Sequence, residues 1–177
     1  GTFQGIIPVD YAGYPVDMLA FRKLADEFGL WIIEDACHAA GGAFTDSNDQ
    51  HHKCGDGSLA ELTVFSFHPV KHIATGEGGM ITTNSEELYN KLLKLRSHGI
   101  VGQGNPDLID NHGGWYMEMQ HLGYNYRLSD IHAALGVSQL KRASANLLRR
   151  KAIAKKYDLA FEGTAVKTII PDSNADH

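Results

Sequence analysis

The chain is poor in cysteine and has no dense block of basic residues. Cys37 and Cys54 are the two cysteines in 177 residues, too few for a disulfide framework, so a reducing cytoplasm is the expected compartment. Its basic residues are dispersed. The densest group, Lys141-Arg142 with Arg149-Arg150-Lys151, falls on a helical stretch and reads as a solvated face. With a formal charge of −5, this argues against a nucleic-acid partner. No apolar stretch approaches the roughly 20 residues of a membrane span. Gly1-Thr2-Phe3-Gln4 runs straight into a strand, so no secretory leader is expected. Internal repeats and low-complexity segments are missing too. The remainder is ordinary, with 43% hydrophobic and 21% charged residues, the composition of a globular domain with one buried core.

Short apolar runs alternate with helical periodicities. Gly5 to Val9 reads as a strand, followed by turn chemistry in Asp10-Tyr11-Ala12-Gly13-Tyr14-Pro15. Asp17 is placed to cap a helix whose apolar positions Leu19, Phe21, Leu24, Ala25 and Phe28 recur at helical spacing, ending at Gly29. Leu30 to Ile33 is a continuous apolar run bounded by Gly29 and the Glu34-Asp35 pair, the pattern of a fully buried strand. A strand-helix-strand unit of this kind predicts parallel pairing with a right-handed crossover. Ala43 to Ser58 is polar and reads as a surface excursion or hairpin. Strands are expected at Leu62 to Phe67 and Gly79 to Thr83, then a helix opened by Ser85-Glu86-Glu87 and running to about Ser97. Gly99 to Gln120 has little periodicity and reads as a long loop, of a kind usually functional or disordered. Ser129 is placed to cap a helix through Leu140, and a second helix covers Ala143 to Phe161. The alternation makes the class α/β.

Lys71 lies in the stretch Ser66-Phe67-His68-Pro69-Val70-Lys71-His72-Ile73-Ala74-Thr75-Gly76-Glu77-Gly78-Gly79, on a turn leaving a buried strand. Wrapped in histidine, serine and glycine, it is badly placed for a solvated charge and well placed to hold an aldehyde. An amine held at a depressed pKa forms Schiff bases, and the Ser66 hydroxyl can bond a phosphate. Asp35 emerges at the C-terminal end of a core strand, where α/β sheets bind their ligands. A carboxylate there can pair with the protonated pyridine nitrogen of pyridoxal phosphate and keep the ring an electron sink; alone, Glu34-Asp35 would read as a strand-end cap. His68 and His72 flank the lysine, but grouped with His38 or with His51-His52-Lys53-Cys54 they give no recognisable zinc spacing, so no metal is expected.

These segments resemble the DegT/DnrJ/EryC1/StrS family of sugar aminotransferases. The resemblance is carried by Gly5 to Gly13, by Glu34-Asp35-Ala36-Cys37-His38 and by Phe65 to Gly79. Leu95-Arg96-Ser97-His98-Gly99 and Leu122 to Asp130 complete it, and the match runs to about Leu159. It implies part of the three-layer α/β/α large domain of the PLP-dependent type I, aspartate-aminotransferase-like fold over residues 1–165. Residues 166–177 would then start a truncated small C-terminal domain, with Thr168-Ile169-Ile170-Pro171 as its opening strand. It also implies enzymes about twice this long, of which the chain is the middle, so that this fragment alone is expected to be inactive.

The same resemblance implies pyridoxal 5'-phosphate as cofactor and assigns roles. Lys71 would form the Schiff base and shuttle the proton, and Asp35 would hold the pyridine nitrogen. His38 would meet the phenolic oxygen, with a core histidine as the alternative, and Ser66 would bind phosphate. Asn125 would reach the phosphate of a neighbouring subunit, implying a homodimer with shared sites; Arg127 would support it or form a salt bridge. Glu77 either orients the lysine turn or touches sugar. His98, Trp115 and Tyr116 are nucleotide-sugar contacts or packing residues. His-Pro-Val-Lys-His followed by Thr-Gly-Glu-Gly-Gly is most similar to enzymes that aminate UDP-4-keto-6-deoxy amino sugars, as in pseudaminic acid biosynthesis. The expected activity is therefore transamination of a nucleotide sugar, with glutamate as amino-acid donor, for surface polysaccharide or flagellar glycan. A dehydratase branch replaces the lysine by histidine, and Lys71 is present. The rival from another class is a non-catalytic remnant acting only in binding or assembly.

Overall fold

The described chain, residues 2–109, 112–169 and 174–176 of a computed structural model, opens with strand β1 (Gly5–Ile6) and a 3-10 turn (Tyr11–Gly13). Helix α1 (Met18–Phe28) and strand β2 (Trp31–Asp35) follow. Asp17 caps α1 as its spacing predicts, its Oδ1 accepting from Ala20 N at 3.0 Å. Gly29 ends the helix at φ 63° and returns its N–H to Ala25 O, a left-handed position that glycine occupies without steric penalty. The chain continues through β3 (Ala43–Thr45), β4 (His51–Lys53), β5 (Leu62–Ser66) and β6 (Gly79–Thr82). Then come α2 (Glu86–Leu95), β7 (Ile100–Val101), β8 (Glu118–Met119), α3 (Asp130–Leu140), α4 (Ala143–Phe161) and β9 (Ala175–Asp176).

The main sheet has the order β1-β2-β5-β6, with β1, β2 and β5 parallel and β6 antiparallel to β5. Strand β1 is shorter than the apolar run suggests, because Pro8 has no N–H to give the ladder. Pairing resumes at an isolated parallel bridge between Val9 and Asp35. Strand β2 instead outlasts its apolar run: Glu34 and Asp35 pair with Thr63 and Val64 of β5. Glu34 tolerates this burial because Thr63 and Gly55 donate to its carboxyl group. Met18, Ala25 and Ile32 form the buried core between α1 and β2, with Ile6, Val16, Phe21 and Leu30 packed around them.

The polar excursion is a hairpin, as expected, of β3 against β4. Its outer edge is covered by β9, with Ala43 opposite Asp176 and Phe44 opposite Ala175. Thr168 and Ile169 lie outside any strand, whereas Ile170 and Pro171 fall outside the described residues. The chain divides into two units, Gly1–Thr82 with Asp130–His177, and Thr83–Ser129. In the second unit Ser85 Oγ caps α2 by accepting from Leu88 N at 3.3 Å. The stretch expected as one long loop contains the antiparallel pair β7–β8, too short for any period to register. The turn after α2 is fastened to residues 124–126 through Tyr124 N to Leu95 O at 2.7 Å, His98 N to Tyr124 O at 2.8 Å and Tyr126 N to Arg96 O at 2.9 Å.

Candidate active site

Asp35 is the last residue of β2 and is held from both sides. Its N–H donates to Pro8 O at 2.9 Å, and its carbonyl accepts from Asp10 N at 3.0 Å. Asp35 Oδ1 accepts from Cys37 N at 3.1 Å, the two-residue turn that aspartate favours. The Cys37 thiol also faces this carboxylate. Burial pushes the Cys37 thiol up to about 11; Asp35 adds to that shift and Lys71 opposes it, so both charges act on one sulfur.

The lysine sits in a loop closed by its own backbone. Ser66, at the end of β5, pairs with Gly79 of β6. Phe67 N donates to Gly78 O at 2.8 Å, Thr75 N to Phe67 O at 2.9 Å, and Lys71 N to His68 O at 2.9 Å. Thr75 is 1% exposed, and its Oγ1 donates to Glu77 O at 2.7 Å. Helix α3 backs this loop at Gly136, where a Cβ would stand 3.0 Å from Thr75 Cγ2. Ser66 Oγ accepts from His68 N at 3.3 Å, which leaves its O–H to donate elsewhere. Lys71 is half-buried, and its amine makes no hydrogen bond or ion pair among the described residues. Leaving an ammonium partly desolvated and unpaired is unfavourable, and such an amine is disposed to bond a ligand.

His38 follows Asp35 by three residues. Its Nδ1 accepts from Ala12 N at 3.2 Å, so in the neutral ring the proton resides on Nε2, which becomes a donor. Gly13 permits this approach: it has φ 90°, and a Cβ there would stand 3.0 Å from His38 O. The Tyr11 ring meets His38 edge-on at 5.8 Å. His72 is pushed below the usual imidazole range by burial and by Arg150 of α4; His38 and Lys71 add to this, and a hydrogen bond to the Ala40 backbone opposes it. Lys71, Arg150 and His38 therefore act on His72, and Lys71 shares the Cys37 thiol with the Asp35 carboxylate, a setting that suits an anionic group joined to a protonated ring nitrogen. These donors and acceptors fit pyridoxal phosphate.

A concavity of about 860 Å³ lies elsewhere, with Tyr14, Asp17, Lys23, Phe44 and Asp46 among its walls, and includes neither Lys71 nor Asp35. Residue chemistry, not hollow size, marks the site.

Of the residues singled out from sequence, Asp35, His38, Ser66, Lys71 and Glu77 share the first unit, and His98, Trp115, Tyr116 and Asn125 belong to Thr83–Ser129. Glu77 is exposed and engages Thr75 through its carbonyl. His98 takes φ 62°. Asn125 bridges to Ser97 and is flanked by Tyr124 and Tyr126, whose rings stack at 4.9 Å. Trp115 is exposed and meets Tyr116 edge-on at 5.9 Å. Asp10, Cys37 and Arg150 had no individual role in the sequence reading. The spacing of Cys37 from Asp35 was a readable turn signal; the reach of Arg150 to His72 depends on how α4 packs.

The DegT/DnrJ/EryC1/StrS aminotransferase family profile matches residues 2–177. A UDP-4-amino-4,6-dideoxy-N-acetyl-beta-L-altrosamine transaminase of Campylobacter jejuni is 42% identical over 154 residues, covering 87% of this chain and 37% of that protein. The structure of Helicobacter pylori PseC, an aminotransferase involved in the biosynthesis of pseudoaminic acid, is similar with a TM-score of 0.75 and 35% identity, over 92% of this chain and 39% of that one. The PLP form of the putative sugar aminotransferase Spr1654 from Streptococcus pneumoniae has a TM-score of 0.77 and 28% identity, over 97% of this chain and 45% of that one. The chain spans about two fifths of the length of the curated relatives it matches.

Proposed function

The chain belongs to the DegT/DnrJ/EryC1/StrS aminotransferase family and has the α/β fold of these enzymes, and from that premise we propose that it carries the lysine half of a PLP-dependent site that transaminates a nucleotide-linked 4-keto-6-deoxy sugar. The observation that carries this reading is the half-buried, unpaired Lys71 amine acting on the same thiol as Asp35. The names of the C. jejuni and H. pylori relatives support a UDP-linked sugar as substrate. Glutamate is the proposed amino donor, and the cytoplasm the proposed compartment. Residues 1–165 are assigned to the large domain and 166–177 to the start of the small one.

Bound pyridoxal phosphate would supply an aldehyde carbon for the amino group and a ring that delocalises charge. Lys71 would bond that aldehyde and afterwards move a proton at its Nζ. Asp35 would offer a carboxylate oxygen to the pyridine N–H and, by charge, would keep that proton in place. His38 would donate from Nε2 to the phenolic oxygen, and Ser66 would donate its O–H to phosphate. Asn125 is proposed to reach the phosphate bound by a partner subunit of a homodimer, with Glu77, His98, Trp115 and Tyr116 proposed as contacts to the nucleotide sugar.

Borohydride reduction in the presence of pyridoxal phosphate, followed by peptide mass spectrometry, tests the reading. A pyridoxyl group on Lys71 is expected. Labelling spread over exposed lysines, with Lys71 unmodified, would remove its basis.

A further inference from the structure

Behind Asp35 the chain buries two carboxyl groups against each other and sets a half-buried thiol beside them. Asp10 is 1% exposed and Glu34 5% exposed. One polar atom from each of Asp10, Glu34 and Cys54 lies within 4.8 Å of the others. Glu34 is well supplied with donors: Thr63 Oγ1 at 2.8 Å, and Gly55 N at 3.1 and 3.3 Å from its two oxygens. Asp10 Oδ1 accepts from Val16 N at 3.0 Å. Asp10 Oδ2, by contrast, is fully buried and has no hydrogen-bond partner at normal geometry among the described residues, the weak S–H donor of Cys54 being the neutral group beside this carboxyl. Two ionised carboxyl groups at this range and burial repel each other without solvent to screen them, so a positive particle must lie between them.

We propose that Asp10 and Glu34 share one proton, which supplies the donor Asp10 Oδ2 lacks, and that this bond positions the Tyr11–Gly13 turn behind His38. The connection is short. Asp10 N donates to Asp35 O at 3.0 Å, Gly13 N donates to Asp10 O at 3.1 Å, and Ala12 N, inside the same turn, donates to His38 Nδ1. Asp10 is therefore a positioning residue, acting on the site through Asp35 and His38.

The groups facing the pair are acids and neutral donors. They are Asp35 at the end of β2, Cys54 after β4, Thr63 of β5, and the N–H groups of Val16 and Gly55. Burial pushes Glu34 up to about 7; the Thr63 bond opposes this and the Asp10 charge adds to it. Burial raises Asp10 as well. Cys54 is raised by burial and by both carboxyl groups, so it remains a thiol. Because the folded value of Glu34 lies above its ordinary 4.5, its contribution to stability is complete below 4.5 and is lost as pH rises through about 7.

The sharing of a proton stands apart from the cofactor reading, whereas its effect on His38 rests on it, and the test addresses the proton directly. Infrared titration of the chain should show a protonated buried carboxyl band that persists above pH 4.5 and disappears near 7. E34Q and D10N each replace the shared proton by an amide donor. E34Q should lose the band and its unfolding midpoint should fall less steeply than that of the parent chain over this range, whereas D10N, which leaves Glu34 buried but removes the Asp10 charge, should shift the disappearance of the band to lower pH. Absence of the band in the parent above pH 4.5 overturns the proposal, as does an E34Q variant as pH-sensitive as the parent or a D10N variant whose band disappears at the same pH as the parent's. A stoichiometric divalent cation found by elemental analysis of the purified chain also overturns it. Should a variant not fold, the titration of the parent band decides alone, and neither result alters where borohydride traps the cofactor.

Discussion

Gly136 of α3 lies so close to Thr75 of the lysine loop that a Cβ on it would stand 3.0 Å from Thr75 Cγ2. Thr75 is buried and bonded at Oγ1, so its methyl cannot swing aside at little cost. Replacing a mid-helix glycine by alanine ordinarily gains about 1 kcal/mol from helix propensity. Here the contact acts against that gain. Gly136→Val is expected to lower unfolding free energy by about 1–3 kcal/mol, with Gly136→Ala falling short of the usual stabilisation. Urea unfolding reads both, and a valine variant as stable as the parent would show that the loop does not rest on this helix.

Lys71→Ala in the full-length enzyme should abolish transamination while leaving weaker, non-covalent cofactor binding. The loop is closed by backbone bonds and by Thr75, not by the lysine side chain, so the fold should survive. Turnover and cofactor titration on the same preparation separate the two effects. More than trace turnover contradicts the role.

Asp35→Asn keeps an oxygen for Cys37 N–H, so the local turn is preserved. What is lost is the charge. One charged hydrogen bond is worth about 1.5–3 kcal/mol, or about ten- to a hundredfold in rate. The single-turnover half-reaction of the full-length enzyme should slow by that factor, more than cofactor binding weakens. A half-reaction at the parent rate would exclude Asp35 as the ring-nitrogen partner.

Glu61 predicts a pH dependence opposite in sign to that of Glu34. Burial alone would raise it, but Ile32 N at 2.5 Å and Arg22 at 3.0 Å outweigh burial and hold it below the usual carboxylate range. Its stabilisation is thus present above 4.5 and lost as pH falls through the lower folded value. Glu61→Gln should reduce stability at neutral pH and flatten the acid-side loss. Unfolding midpoints that fall with acid as steeply in the variant as in the parent would contradict this.

The features legible in the sequence are those fixed by near neighbours. Asp17 and Gly29 bound α1 because capping and left-handed geometry need only a few residues. Asp35 and Lys71 were readable because each follows an apolar run that forms a strand, Asp35 at the end of β2 and Lys71 in the loop after β5. Trp31 of the first run is nonetheless exposed rather than buried. Pairings across the chain were not legible. Glu34 looked like part of a polar cap, yet its partner Thr63 lies on another strand and makes it a buried strand residue. Arg150 is exposed, as its basic neighbours suggest, but its influence on His72 exists only once α4 has packed. The Asp10–Glu34 contact likewise joins residues that no local spacing relates.

Strand β9 meets β3 across most of the chain's length, Asp176 beside Ala43. Helix α1 and the β3–β4 hairpin can form from local contacts, but the outer edge of β3 must wait for a partner far downstream. During that interval it presents unpaired N–H and C=O groups that would accept any extended strand. Refolding should therefore be sensitive to concentration, with yield falling as copies of the chain compete to occupy the edge that Ala175 and Asp176 eventually close.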